Sequence, residues 1–218
     1  MMTKGEQTKH RILDEALNLF SIKGYSAVSV RDISKAAGIK ESSIYNHFVN
    51  KQDILDKILE AYAQDLENFM ITEKIMLPGN HEDQNEQQAD YFSMMSEELF
   101  VGLAMQVFEK MFLDERINKL WRLLSIERFN NSGIDDLYKK LIFNDALKYQ
   151  GMILSLMMEK GLIRKADPEM LAIEFFAPAY LLYQRYFASG NEAVSDEEKK
   201  KAEQLFIQHV LHFRESNK

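Results

Sequence analysis

The chain has 218 residues, of which 46% are hydrophobic and none is cysteine. This length allows a substantial buried core, while the lack of cysteine excludes a disulfide scaffold and a zinc–thiolate site. No apolar run approaches the ~20 residues that span a bilayer, and the polar N-terminus lacks the apolar stretch of a signal peptide, so we expect a cytoplasmic protein with no membrane partner.

The charge is distributed unevenly along the chain. The formal net charge is −7, which by itself argues against a nucleic-acid partner. Residues 1–51 hold eight Lys/Arg against five Asp/Glu, a balance of +3 that leaves −10 for the remaining 167 residues. A basic N-terminal part and an acidic remainder agree with a head that meets phosphate and a body that stays away from it.

The first four predicted elements are helices. The first is indicated by apolar residues at helical spacing, namely Ile12, Leu13, Ala16, Leu17 and Phe20. Gly24 ends this helix. Ser29, with an acidic Asp32 three positions on, begins a short second helix. Residues 41–47 form a short third helix, and Asn50 caps a longer fourth one.

The rest of the chain also follows helical patterns. Residues 78–90 are polar and predict a mobile loop. Asp167 before Pro168, and Ser195 with Glu198, are start signals for the last two helices. Helices are predicted at 91–112, 114–130, 134–160, 168–189 and 196–214. The sequence thus predicts an all-α chain of about nine helices.

The second and third helices have the pattern of a helix-turn-helix. A small core of Ile33, Ala37, Ile39 and Ile44 surrounds a turn at Gly38. Such a unit typically places its second helix in the major groove of DNA. The outward face of that helix has donors that reach phosphates and base edges, namely Lys40, Ser42, Ser43, Tyr45, Asn46 and His47. An ordinary helix pair with a solvated polar face has the same spacing, so spacing alone leaves both interpretations open.

The stretch from Thr8 to Tyr62 resembles the DNA-binding domain of the TetR family of transcriptional repressors. The matching residues are Ile12, Ala16, Phe20, Gly24-Tyr25, Ser29-Val30-Arg31-Asp32-Ile33, Ala36-Ala37-Gly38-Ile39, Ser43-Ile44-Tyr45, His47-Phe48, Asn50-Lys51 and Leu55. The remainder of the chain matches the family only in the number, order and approximate length of its helices.

This resemblance implies which side chains meet DNA. Contacts to the backbone, groove edge or phosphates are expected from Ser29, Arg31, Tyr45, His47 and Lys51. Contacts to bases and nearby phosphates are expected from Ser42, Ser43 and Asn46. The sequence departs from the family at Lys40, where a Ser or Thr N-cap is frequent, and at Glu41, where a basic or neutral residue is common. A carboxylate there would repel phosphate or select a cytosine amino group.

The C-terminal part is rich in methionine and aromatic residues. Each of these is more readily explained as core than as a ligand contact, although Met-rich linings adapt to varied ligands. The resemblance implies that helices beyond the fourth enclose an effector pocket, whose occupancy moves the fourth helix and thereby the DNA-binding heads. We expect a small, largely apolar effector and no other cofactor. The candidate pocket residues are Phe92, Met95, Phe108, Met111, Trp121, Phe143, Met152, Glu174 and Pro178.

Two of these residues are unusual in a helix. Pro178 lies in the middle of the predicted helix 168–189, where it either shapes a pocket wall or bends the helix around the core. Glu174 lies among apolar neighbours with no basic residue three or four positions away. Because an unpaired buried carboxylate is costly, it pairs with a cation of another helix, reaches the rim, or serves as a polar handle for a ligand.

The last two helices are expected to build a homodimer, as they do in the family. Two heads on one dimer would read a palindromic operator. The candidate interface residues are Leu181, Leu182, Tyr186, Leu205, Phe206, Val210 and Phe213. His209 and His212 lie three positions apart, but the sequence supplies no evident third ligand, so we predict no metal site.

The sequence therefore predicts two domains: a helix-turn-helix domain at residues 1–50 and an effector-binding and dimerisation domain at residues 51–218. The expected function is that of a repressor released from double-stranded operator DNA by its effector. A helical enzyme or a protein-interaction module is the alternative. The sequence has no nucleophile elbow, glycine-rich phosphate loop or two-histidine zinc motif, so we predict that the chain is not an enzyme.

Overall fold

A computed structural model describes residues 2–75, 82–188 and 194–217, with the backbone alone at 82–86 and 89. This part of the chain is helical and contains no strand, which confirms the all-α prediction. The α-helices are α1 (Lys4–Lys23), α2 (Val30–Ala36), α3 (Glu41–Ile44), α4 (Lys51–Thr72), α5 (Glu82–Ser93), α6 (Glu97–Phe108), α7 (Glu115–Glu127), α8 (Ser132–Lys139), α9 (Asp145–Glu159), α10 (Pro168–Tyr186) and α11 (Asp196–Ser216).

Two π-helical turns extend these elements. One, Glu109–Leu113, continues α6, and the other, Lys140–Asn144, joins α8 to α9 without a break. With α8 and α9 taken as one helix, the described residues form ten helices, close to the predicted nine. No helix in the described ranges is long and apolar enough to cross a membrane.

The helix starts follow from local hydrogen bonding. Ser29 and Asp32 form a complete capping box at α2, and Ser195 and Glu198 form another at α11. In each box the hydroxyl and the acidic side chain satisfy backbone N–H groups that have no partner within the helix. The Asp167 side chain accepts from the Met170 N–H at 2.9 Å, with Pro168 following as the first helical residue. These three start signals are confirmed.

The prediction of a loop at residues 78–90 is wrong for residues 82–90, which belong to α5; residues 78–81 lie outside the described ranges. The segment is polar, which suggested a loop, but its Glu, Gln and Ala residues have good helix propensity. Gln88 is buried and its Nε2 donates to the Lys74 carbonyl at 2.6 Å. The helix predicted from residue 91 is instead interrupted at Met94–Ser96, where Ser96 caps α6.

The residues group into two compact units. The first contains residues 1–68 and 115–138. In it α1 packs against α2 and α7, and α2 packs against α3. Its fully buried side chains include Ile12, Phe20, Ile33, Ile44, Ile54, Leu120 and Trp121. The apolar stripe predicted for the first helix forms part of this core.

The second unit contains residues 69–114 and 139–218. Here α10 packs against α9 and α11, α5 against α9, and α11 against α6. An aromatic cluster fills the space beside α11, with Phe108 stacked on Phe206 at 4.5 Å between ring centroids and in contact with Phe112 and Phe187. The boundary predicted at residue 50 divides the chain by function, into a helix-turn-helix domain and an effector-binding and dimerisation domain. It stays a prediction.

Candidate nucleic-acid interface

Helices α2 and α3 form the core of the candidate site. Ile33 of α2 and Ile44 of α3 are fully buried, and Phe48 after α3 is nearly so. The turn between the helices passes through Gly38 at a φ of 64°, a left-handed conformation that glycine adopts without strain. Hydrophobic anchors on the inner side of α3 therefore fix which side chains face outward.

The outward residues of this segment are polar. Lys40, Ser42, Tyr45 and Asn46 are exposed, whereas Ser43 and His47 are half-buried. The α-helix ends at Ile44 rather than at the predicted residue 47, and the chain continues in turns with the His47 N–H donating to the Ile44 carbonyl at 2.9 Å. The assignment of these six polar residues as DNA contacts agrees with their full or partial exposure and stays a prediction.

Lys40 precedes α3 without a capping side chain. The residue has extended backbone angles, but its side chain makes no hydrogen bond to the helix N–H groups. A Ser or Thr at this position would supply such a cap. The Lys40 ammonium therefore remains at the exposed start of α3, where the N–H groups of the first turn also point outward.

Ser29 and Arg31 lie at the start of α2. The Ser29 hydroxyl donates to Asp32 Oδ2 at 2.5 Å and accepts from the Asp32 N–H, while Arg31 is exposed. Hydrogen bonds from the Ser29 hydroxyl and from the Ser29 backbone N–H lower the pKa of the Asp32 carboxyl. The hydroxyl of Ser29 is thus occupied in holding the helix start, whereas the Arg31 guanidinium is available to an anion.

Lys51 has an internal role that the sequence does not reveal. Its Nζ donates to the carbonyls of Tyr25 and Val28, both at 2.8 Å, and lies 4.2 Å from the centroid of the Tyr25 ring. Burial lowers the pKa of this ammonium, and the negative charge of Glu127 opposes the effect. An ammonium has three donors, so two of them hold the chain between α1 and α2.

Two further residues, Glu127 and Lys9, lie at the site but are not among the residues predicted from the sequence. Glu127, at the end of α7, accepts hydrogen bonds from Ser26, 101 residues earlier in the chain. Lys9 of α1 places its Nζ 5.8 Å from the centroid of the Phe48 ring, beside the end of the helix-turn-helix. The one local signal for Glu127 is a carboxylate three positions after Leu124 on the buried stripe of α7.

The predicted pocket residues differ in burial. Phe108 and Trp121 are fully buried, and Met95 is nearly so. The half-buried members are Phe92, Met111, Phe143, Met152 and Pro178. Glu174 is exposed, so its carboxylate needs no buried partner. The α10 helix continues through Pro178. The assignment of these residues to an effector pocket stays a prediction.

The predicted dimer residues divide into two groups. Leu182, Phe206, Val210 and Phe213 are buried within the chain itself, so their side chains have almost no surface to offer a partner. Leu181 and Leu205 are exposed, and Tyr186 is half-buried. The interface stays a prediction, which now depends on these latter three residues.

The two histidines of α11 have different surroundings. His209 shares a hydrogen bond of 3.0 Å between its Nε2 and the Phe175 carbonyl, and it lies near the Phe175, Phe206 and Phe213 rings. Burial lowers the pKa of His209. His212 is exposed. Within the described ranges, no group of three or more His, Cys, Asp or Glu side chains is arranged to hold a metal ion.

The sequence is similar to known regulators. The family model for bacterial regulatory proteins of the tetR family matches residues 12–58. The HTH-type transcriptional regulator AcrR of Shigella flexneri is 35% identical over 77 residues, which cover 35% of this chain and 36% of AcrR. The biofilm operon icaADBC negative transcriptional regulator IcaR of Staphylococcus epidermidis is 29% identical over 166 residues, covering 76% of this chain and 73% of IcaR.

Solved structures share the fold along most of the chain. A transcriptional regulator from Aquifex aeolicus VF5 has a TM-score of 0.63 and 17% identity, covering 94% of this chain and 99% of its own. The regulator SmeT, in a complex with triclosan, has a TM-score of 0.59 and 18% identity, covering 97% of this chain and 91% of its own. At this identity the likeness concerns the fold alone.

Proposed function

This chain is a regulatory protein of the tetR family, and we propose that it is a homodimeric repressor that leaves a palindromic operator when a small, largely apolar effector binds. The observation that carries the proposal is the helix-turn-helix of α2 and α3. Its inner side is anchored by the fully buried Ile33 and Ile44, while Lys40, Ser42, Tyr45 and Asn46 face solvent. That face supplies a cation, hydroxyls and an amide to a DNA groove.

The test begins with selection of a DNA duplex. The wild-type chain is used to enrich duplexes from a random library, and the enriched duplex then serves in binding titrations. We expect an inverted repeat whose half-sites lie about one helical turn apart, because each protomer presents one head. Failure to enrich any duplex would overturn the proposed function.

Asn46→Ala is expected to weaken binding to the selected duplex by about 5–150-fold, because an amide that reads a base edge contributes about 1–3 kcal/mol of discrimination. Binding to an unrelated duplex should change little. Fluorescence titration of both duplexes measures the ratio. Asn68→Ala, an exposed asparagine on α4, is the control and should leave both affinities unchanged. Equal weakening on both duplexes would make Asn46 a phosphate contact instead.

The effector is proposed to be largely apolar. The support is the methionine and aromatic content of the chain beyond α4, where Phe92, Met111, Phe143 and Met152 remain half-buried rather than fully packed. Flexible thioethers and aromatic rings accommodate apolar ligands at low cost. The fold is shared with SmeT, whose structure holds triclosan, an aromatic compound. Triclosan and related small aromatics are therefore suitable first probes in a thermal-shift screen.

The dimer is proposed to form through exposed apolar residues of α10 and α11. Leu181 is 66% exposed and Leu205 is 39% exposed, which leaves two leucines on the surface of adjacent packed helices. Covering such surface with a second copy removes it from water. Each copy would then present one head to one half of the operator.

Leu181→Glu combined with Leu205→Glu is expected to convert the dimer into monomers, because two carboxylates would be buried against the partner. Loss of the second head should also weaken binding to the selected duplex by at least about 100-fold. Leu99→Glu with Leu162→Glu is the matched control, since these leucines are 66% and 40% exposed. Sedimentation equilibrium measures the mass. A dimer that persists in the first variant would place the interface elsewhere.

A further inference from the structure

We propose that Glu127 is a positioning residue for DNA binding, which holds the turn Gly24–Val28 between α1 and α2 in the conformation that presents α2 and α3 to the groove. This inference rests on the proposed function, since it assigns a role in operator binding to a residue of α7. The hydrogen bonds of the carboxylate go to Ser26 in the turn. Glu127 acts through the backbone that leads into α2.

The carboxylate of Glu127 binds the turn directly. The Ser26 N–H donates to Oε1 at 3.1 Å, and the Ser26 hydroxyl donates to Oε2 at 2.9 Å. Glu127 is only 3% exposed, so these bonds form in a poorly hydrated environment. Charge-assisted hydrogen bonds are stronger than neutral ones, and a buried carboxylate that loses its donors is costly. The position of Ser26 is therefore fixed relative to the end of α7.

Gly24 permits the close approach of α7. It has a φ of 80°, and a Cβ added there would lie 2.5 Å from Glu127 Oε1 and 3.1 Å from Ile126 Cγ2. The first distance is shorter than real contacts of a Cβ atom. The backbone conformation therefore favours glycine, and a Cβ at this position would displace the Glu127 carboxylate. The sequence Gly24-Tyr25-Ser26 thus forms a recess that accepts one carboxylate.

Lys51 binds the carbonyl groups of the same turn. Its ammonium donates to the Tyr25 and Val28 carbonyls. The N–H side of the turn is thus held by an anion of α7 and the carbonyl side by a cation of α4. The next residue, Ser29, is the N-cap of α2. A shift of Glu127 would therefore be passed along the backbone to Arg31 and the rest of α2.

Glu127→Gln gives a test in which the sign of the effect is informative. Removing a negative charge from a DNA-binding protein should by electrostatics alone strengthen binding to every duplex. If Glu127 positions the turn, the variant instead binds the selected duplex about tenfold more weakly, the equivalent of one charge-assisted hydrogen bond. The slope of log affinity against log salt should stay at the wild-type value, because no phosphate contact is lost.

Two further variants complete the experiment. Ser26→Ala removes one hydroxyl from an exposed residue and is expected to weaken the same complex severalfold. The double variant, Glu127→Gln with Ser26→Ala, should bind the selected duplex no more weakly than Glu127→Gln alone, because both changes remove the same interaction. Glu115→Gln is the control, since this exposed carboxylate of α7 pairs with Lys119. Thermal melting of each variant gives the folded fraction, and Ser26→Ala decides the question if Glu127→Gln does not fold.

The outcomes separate this inference from the proposed function. A wild-type chain that enriches no duplex overturns the proposed function and this inference with it. A wild-type chain that binds its selected duplex, while folded Glu127→Gln and Ser26→Ala bind equally well or more tightly, overturns the inference alone. Weaker binding by both, with an unchanged salt slope and a non-additive double variant, supports it.

Discussion

Phe108→Ala is expected to destabilise the protein by about 3–5 kcal/mol, the usual cost of removing a large aromatic side chain from a packed core. Phe108 is 1% exposed, and its ring stacks on Phe206 and meets Phe112 and Phe187 edge-on or tilted. Truncation would leave a cavity that rigid helices cannot close and would remove three aromatic contacts. Denaturation in urea measures the loss in the free energy of unfolding.

Phe129→Ala is the matched control, because Phe129 is 85% exposed. Its expected effect is within about 0.5 kcal/mol, as for most surface substitutions. The comparison also bears on the prediction that Phe108 lines an effector pocket. A side chain that borders an open pocket has fewer partners to lose. A loss below about 1 kcal/mol would therefore favour the pocket assignment over the core assignment.

The sequence was informative where the cause of a structure is local. The capping box of Ser29 and Asp32 lies within one turn of chain, and the side chains that form it are the ones that the pattern requires. The apolar stripe of α1 likewise follows from helical spacing. The outward exposure of Tyr45 and Asn46 follows in the same way from the buried neighbours Ile44 and Phe48.

Periodicity did not separate the two kinds of apolar residue in the last two helices. Leu181 and Leu182 are adjacent and chemically identical, yet the first is exposed and the second is buried. The pattern marks both as apolar, and the difference arises from where α9 and α11 pack against α10. Phe206 is among the predicted interface residues, but its ring packs on Phe108 of a distant segment.

The candidate site was incomplete for a related reason. Glu127 and Ser26 are separated by 101 residues, so no local pattern connects them. The family resemblance predicts that Lys51 binds phosphate, whereas its internal hydrogen bonds depend on how the turn at Tyr25 folds back on α4. Residues 82–90 have a polar composition without an apolar period, which predicts a loop, although helix propensity and the buried Gln88 support α5.

The effector is expected to act on the operator complex through α4. Helix α4 begins three residues after Phe48 and buries Ile54 and Ile58 in the first unit, and its last residues from Phe69 onward belong to the second. It is thus covalently part of both. An effector changes operator affinity only if it binds the two arrangements of the heads with different affinity. A ligand with equal affinity for both would stabilise the protein without releasing DNA.

Saturating effector is expected to weaken binding to the selected duplex by about 5–150-fold, the usual range of coupling between two sites. Thermodynamic linkage then requires the duplex to weaken effector binding by the same factor. The measurement is a calorimetric titration, into free and duplex-bound protein, of the apolar compound that most raises the melting temperature in a thermal-shift screen. Equal affinities in the wild-type titrations would show that the compound binds without switching the protein.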